Sequence, residues 1–179
     1  MVNYELLHFF FLMMLFLLIC LIVIWTIKNG ISPMPTSPKA RQQLLKLLPE
    51  KLEGTIYELG SGWGGLALTL ARRYPDSNVI GYENSPIVYG TSKCFLICSS
   101  CPNLELKYAD FYGKELQDAA LIVCYLFPKA MERLSVKFKH ELKPGTLIAS
   151  NTFALPNWQP EKVLEIDDFF HTKIYLYRV

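Results

Sequence analysis

From Leu6 to Ile27 the chain reads LLHFFFLMMLFLLICLIVIWTI, twenty-two residues without a formally charged side chain. Few backbones can carry such a run. In hydrocarbon every main-chain N–H and C=O must be paired internally, which a lone segment achieves only as a helix. At about 1.5 Å of rise per residue, that helix is roughly 33 Å long, enough to cross a bilayer core. A cleavable signal peptide would need a positive start, a shorter apolar stretch and a small-residue cleavage site. MVNYE has no Lys or Arg, and no such site follows. A buried core helix would keep one polar face, and this run is apolar all round. The reading is a transmembrane anchor over residues 6–27 behind a short tail, residues 1–5. All 18 Lys and Arg lie after it, with Lys28, Lys39, Arg41, Lys46 and Lys51 close behind. The positive-inside rule then places the rest of the chain on the cytoplasmic side. The missing Arg- and Ser-rich amphipathic leader points to a bacterial or archaeal inner membrane rather than an organelle.

The anchor absorbs much of the 51% hydrophobic content. Some 150 residues remain, enough for one sizeable core and a prior for one domain. Every acid but Glu5 falls in this part, so its net charge is about +3, too weak a bias to argue for a nucleic-acid partner. Residues 28–50 read as a linker, KNGISPMPTSP, whose Pro33, Pro35 and Pro38 forbid a continuous helix, followed by the amphipathic KARQQLLKLL. From residue 51 to 179, strand-like runs (TIYELG, NVIGYE, LELKYAD, ALIVCYLF, TLIASNTF) alternate with helical ones. Two final strands, EKVLEIDDF and TKIYLYRV, follow each other without a helix between them. That order means a doubly wound α/β sheet with an antiparallel finish.

The stretch TIYELGSGWGGLAL carries the chemistry. A glycine-rich turn between a first strand and a first helix lets main chain approach a ligand closely and aims a helix N-terminus at it. Gly60, Gly62 and Gly65 satisfy the G-x-G-x-x-G dinucleotide spacing, a weak signal alone. Glu83, closing the second strand, suits ribose hydroxyls in a dinucleotide or a nucleoside-type cofactor. Glu58, two residues before Gly60, separates the two. It would repel a pyrophosphate and attract a cationic amino-acid group. Asp110, at the end of the third strand, is placed to meet an adenine amino group.

The E-L-G-S-G-W-G stretch resembles the E/D-x-G-x-G-x-G motif of class I S-adenosylmethionine-dependent methyltransferases. Glu83 in GYE and the Ala109-Asp110 pair resemble that family's second-strand acid and adenine-side motif. The resemblance implies a Rossmann-like seven-stranded sheet with an antiparallel last strand, with S-adenosylmethionine as cofactor. It implies that Glu58, Gly60, Ser61, Gly62, Glu83 and Asp110 bind it. The anchor, the P-x-P-T-S linker and NTFALPNW are similar to the membrane-anchored protein-lysine methyltransferases related to the ATP synthase c-subunit lysine methyltransferase. That likeness implies methyl transfer to a lysine of a membrane-associated protein. Trp63 departs from it, standing at a loop position often acidic in that group, and Tyr125-Leu126-Phe127-Pro128 matches only in apolar character and the proline. No catalytic residue is assigned. Candidates for the acceptor pocket are Tyr125, Phe127, Asn151, Phe153 and Trp158, since an aromatic, partly desolvated pocket favours a neutral amine. A small-molecule or lipid methyltransferase at the membrane, and a non-catalytic cofactor-binding module, are the competing readings.

Cys94, Cys98 and Cys101 have the C-x3-C-x2-C spacing of cluster-binding radical enzymes. They stand where a helix is expected to end rather than on a loop. At helical spacing they share one face, so the reading is packing on the sheet, with no metal site.

Overall fold

A computed structural model describes residues 4–30, 32–97, 99 and 101–179. Helix α1, Tyr4–Asn29, is the one helix among the described residues long and apolar enough to cross a membrane, and none of its residues is buried in the protein. The prolines then act as the composition dictates. Residues 32–37 are irregular, and α2 (Pro38–Leu47) starts with proline in its first turn and Ser37 as N-cap, whose side chain accepts from the Ala40 N–H.

Among the described residues seven strands follow: β1 (Gly54–Leu59), β2 (Ser77–Glu83), β3 (Leu104–Tyr108), β4 (Ala119–Cys124), β5 (Leu147–Asn151), β6 (Lys162–Glu165) and β7 (Lys173–Arg178). Three helices, α3 (Gly65–Arg73), α4 (Pro86–Ile97) and α5 (Pro128–Glu141), alternate with them. The sheet order is β3-β2-β1-β4-β5-β7-β6. β1 to β5 pair in parallel, and β7 runs antiparallel between β5 and β6. This is the doubly wound seven-stranded sheet with an antiparallel last strand that the alternation predicts.

Both faces of the sheet are covered, and the period of two along each strand divides the core. Ile56, Val79, Leu121 and Val123 face α2 and α3. Tyr57, Leu59, Ile122 and Cys124 face α5. At about 25 cal/mol per Å2, each fully buried Leu or Ile here contributes roughly 1.5–3 kcal/mol. The connection from β3 to β4 departs from strict alternation. It carries only a 3-10 turn, Phe111–Gly113, capped by the Asp110 side chain. The switch point lies between β1 and β4: from β1 the chain winds outward through β2 to β3, then crosses back to β4 on the other side of β1. In open α/β sheets ligands bind there.

Candidate active site

β1 delivers its last residues into a tight loop at this switch point. The N–H groups of Gly60 and Ser61 both donate to the Tyr82 carbonyl, at 2.9 and 2.8 Å. Gly60 and Gly62 have φ of 74° and 54°, a region L side chains avoid, so only glycine turns the chain here without strain. A Cβ on Gly62 would meet nothing within 4 Å, so this main chain faces open space. Gly81 on β2 serves the loop differently. A Cβ there would lie 2.9 Å from the Ser61 Cβ and 2.6 Å from a Leu106 methyl, so its absence lets the loop settle on the sheet.

Glu83 fastens the loop from the neighbouring strand. Its carboxylate accepts from the Gly62 N–H at 2.9 Å and from the Ser85 N–H at 2.8 Å. Each oxygen keeps lone-pair capacity for a further donor, such as a ribose hydroxyl. Glu58 lies at the base of the loop on the face that carries α2 and α3. Burial pushes its pKa up to about 8, against the pull of the Ala67 N–H and the Arg41 guanidinium. Asp110 accepts from the Tyr112 N–H at 3.0 Å, which fixes the start of the 3-10 turn.

A cavity of about 300 Å3 opens over the loop. Gly60, Gly62, Glu83 and Asp110 line it on one side, and Tyr112, Tyr125 and Phe127 supply aromatic wall on the other. Above Tyr112 stands the Arg133 guanidinium, 3.6 Å from the ring centre. Of the residues singled out from the sequence, Glu58 and Ser61 are buried behind the cavity. Asn151, Phe153 and Trp158 stand apart from it. Asn151 ends β5 opposite Ile174. Phe153 and Trp158 pack against the α5-side core, and the indole N–H of Trp158 donates to the Ser135 carbonyl at 3.3 Å. Cys94 is exposed and Cys101 half-buried, while Cys98 lies outside the described residues.

Sequence reasoning missed Arg41. Its Nη1 donates to the Thr69 hydroxyl at 3.3 Å, and its guanidinium lies over Gly65 at the start of α3. The 41-44-48 helical spacing with Leu44 and Leu48 was the available signal. Asn84, Tyr112 and Arg133 were also missed, because nothing local distinguishes them from surface residues.

The loop tests well as a binder of a polar cation. Among the described residues, the buried side-chain atoms without a hydrogen-bond partner are Arg41 Nε, Glu58 Oε2, Ser61 Oγ and Ser85 Oγ. Three of the four belong to the ends of β1 and β2, where the loop sits. Buried polar groups are nearly always satisfied; of these orphans Ser85 lines the cavity, while Glu58 and Ser61 lie behind the loop. The Glu83 carboxylate, the Ser85 hydroxyl and the open main chain at Gly60 and Gly62 suit the ribose and amino-acid parts of S-adenosylmethionine.

The ANTKMT methyltransferase domain model matches residues 58–162, more than half of the chain. Over 146 residues the chain is 25% identical to a protein-lysine N-methyltransferase of Saccharolobus islandicus, covering 80% of this chain and 90% of that protein. It is 28% identical over 129 residues to the adenine nucleotide translocase lysine N-methyltransferase of Mus musculus, covering 72% of this chain and 56% of the mouse protein. The chain thus spans just over half the length of that relative. Among solved structures, an RNA methyltransferase from Salinibacter ruber in complex with S-adenosyl-L-homocysteine superposes with a TM-score of 0.72. The two share 22% identity over 82% of this chain and 94% of that one, a likeness of fold.

Proposed function

The chain belongs to the family of the ANTKMT methyltransferase domain and is an S-adenosylmethionine-dependent methyltransferase, and on that premise we propose that it methylates a lysine side chain of a membrane-associated protein. One observation carries the reading. The aromatic wall of Tyr112, Tyr125 and Phe127 shares a single cavity with the glycine loop and with the end of the apolar helix α1. Two relatives whose names specify lysine support the choice of acceptor. Lys and Arg clustered at the end of α1 and beyond it, with none before Lys28, support a cytoplasmic catalytic domain.

The bound cofactor supplies an activated methyl group, so the chain's work is to bind, orient and exclude water. In this reading Glu83 takes the ribose hydroxyls while keeping the Gly62 N–H, and Asp110 takes the adenine. Gly60 and Gly62 let main chain lie against the cofactor. Glu58 and Ser61 balance its amino-acid end from behind the loop. Tyr125 and Phe127 line the approach of the acceptor, whose amine must be neutral to react. Two features favour that state. Aromatic walls desolvate an ammonium, and the Arg133 and Lys28 charges at the cavity disfavour a second cation.

The deciding experiment incubates the full chain in nanodiscs with native membranes and labelled methyl donor. Label on protein, mapped to lysine by mass spectrometry, is the expected result. Label extracted with lipid or small molecules overturns the lysine reading. Glu83→Ala should lower affinity for S-adenosylhomocysteine by about tenfold or more, because a charged acceptor of hydrogen bonds is lost.

A further inference from the structure

The anchor does not stop short of the catalytic domain. Ile22, Trp25, Thr26 and Asn29 of α1 line the same cavity as Gly62 and Glu83, followed by Ser32, Pro33 and Met34 of the linker. Three ties hold this segment down. Asn29 and Asn84 exchange reciprocal side-chain hydrogen bonds at 2.8 and 3.1 Å, and Asn84 directly follows Glu83. Gly30, at φ 71°, lies so close to the Phe127 ring that a Cβ would stand 2.7 Å from it. The Trp63 indole, on the glycine loop itself, donates to the Pro33 carbonyl at 2.7 Å. A flexible tether would need none of these contacts.

Length fixes the height of this wall. The 26 residues of α1 span about 39 Å, some 9 Å more than a hydrocarbon core of about 30 Å. Tyr4 and Trp25 stand about 32 Å apart along the helix axis. Aromatic residues at such a spacing mark the two interfaces of a spanning helix. Lys28, with its ammonium 4.2 Å from the Trp25 ring centre, is at the head-group side. A core of about 30 Å that begins after Glu5 ends near Trp25, so Trp25 to Asn29 stand at and beyond the hydrocarbon edge, while Ile22 lines the cavity from just inside it.

We propose that the last turn and a half of α1 is a wall of the methyl-transfer site, latched by the Asn29–Asn84 pair, so that the acceptor lysine is taken at the height where α1 leaves the hydrocarbon. This rests on the lysine reading above and on α1 spanning the bilayer. It makes Trp25, Asn29 and Asn84 positioning residues, since they hold the cavity's shape from outside the glycine loop.

The test uses the full chain in nanodiscs and two readouts. The first is equilibrium binding of S-adenosylhomocysteine. Asn84→Ala should weaken it about tenfold, as should Asn29→Ala, and the double variant should be no worse than either single one, because each removes the same pair of hydrogen bonds. Trp25→Ala provides a second, independent loss of wall should the asparagine variants fold poorly. The second readout is methylation of synthetic spanning helices, each with one lysine at the hydrocarbon edge or about 5 or 11 Å beyond it, one or two helical turns out. The lysine at the edge should be methylated at least tenfold faster than the outermost. Unchanged binding in Asn84→Ala and Trp25→Ala, or equal methylation at all heights, overturns the proposal. A wild-type chain that binds the probe but methylates no lysine overturns the lysine reading instead, and the wall is then decided by the binding data.

Discussion

Glu58 burdens the folded chain. The residue is 5% exposed, one carboxyl oxygen has no partner, and desolvation raises its pKa to about 8. A carboxyl titrating that high holds its proton more tightly folded than unfolded. Its contribution is therefore fully present below the unfolded value of 4.5 and is lost as pH rises through about 8. Glu58→Gln removes the ionisation and should raise the melting temperature of the cofactor-free protein at pH 8.5 by about 3–6 °C, with little change at pH 5. A thermal scan at both values checks it, and equal shifts would contradict the assignment. Binding of a cationic cofactor favours the ionised form, so at pH 7 it should release close to one proton in the wild type and none in Glu58→Gln. Calorimetry in two buffers of different ionisation enthalpy measures that count. The position of Glu58 was legible because an acid two residues before a glycine turn is unusual in a buried strand. Arg41 was less so, because its meaning depends on where α2 docks, and docking is a tertiary fact.

At the level of elements, the period-two and period-3.6 patterns marked β1, α3 and β2 well, since each buries one face or both against the rest of the core. The β3 to β4 crossover was harder to read. FYGKELQD has helix-forming residues, but only Phe111 and Leu116 among them are buried hydrophobics, so packing supplies no stripe to stabilise a longer helix. Asn151, Phe153 and Trp158 were grouped with the acceptor candidates because they follow a strand on the carboxyl edge. Which of two neighbouring loops faces a cavity is set by the order of strands, and no local pattern reports that order. The contribution of α5 is Arg133, held over Tyr112 at the cavity rim. Arg133→Gln should move the alkaline rise of kcat with pH upward by a few tenths of a unit, because a cation that suppresses the acceptor's charge is gone. A pH–rate profile reads this directly, and a drop in kcat with no shift would assign Arg133 to packing alone. In β2, Gly81→Ala should cost about 1–3 kcal/mol by overpacking against Ser61 and Leu106, and should weaken cofactor binding in parallel. Denaturant melts and probe binding on the same variant test the coupling.

On the proposed membrane span, the whole molecule joins two parts with different solvents. An α/β domain with a mostly buried seven-stranded sheet meets a helix whose apolar side chains are exposed to whatever surrounds it. The join is rigid rather than slack, through Asn29–Asn84, Gly30 on Phe127 and Trp63 on Pro33. That rigidity has a consequence for how the enzyme meets its surroundings. A helix of fixed length clamped to its own catalytic cleft cannot tilt without carrying the cleft along. With α1 spanning a bilayer as proposed, lipid acyl-chain length becomes a control on rate: hydrophobic mismatch in long-chain bilayers would sink the domain, and in short-chain ones tilt α1 or lift the cleft clear of its target. Turnover on a membrane-embedded acceptor should peak at one bilayer thickness and fall on either side, while affinity for S-adenosylhomocysteine stays level across the series.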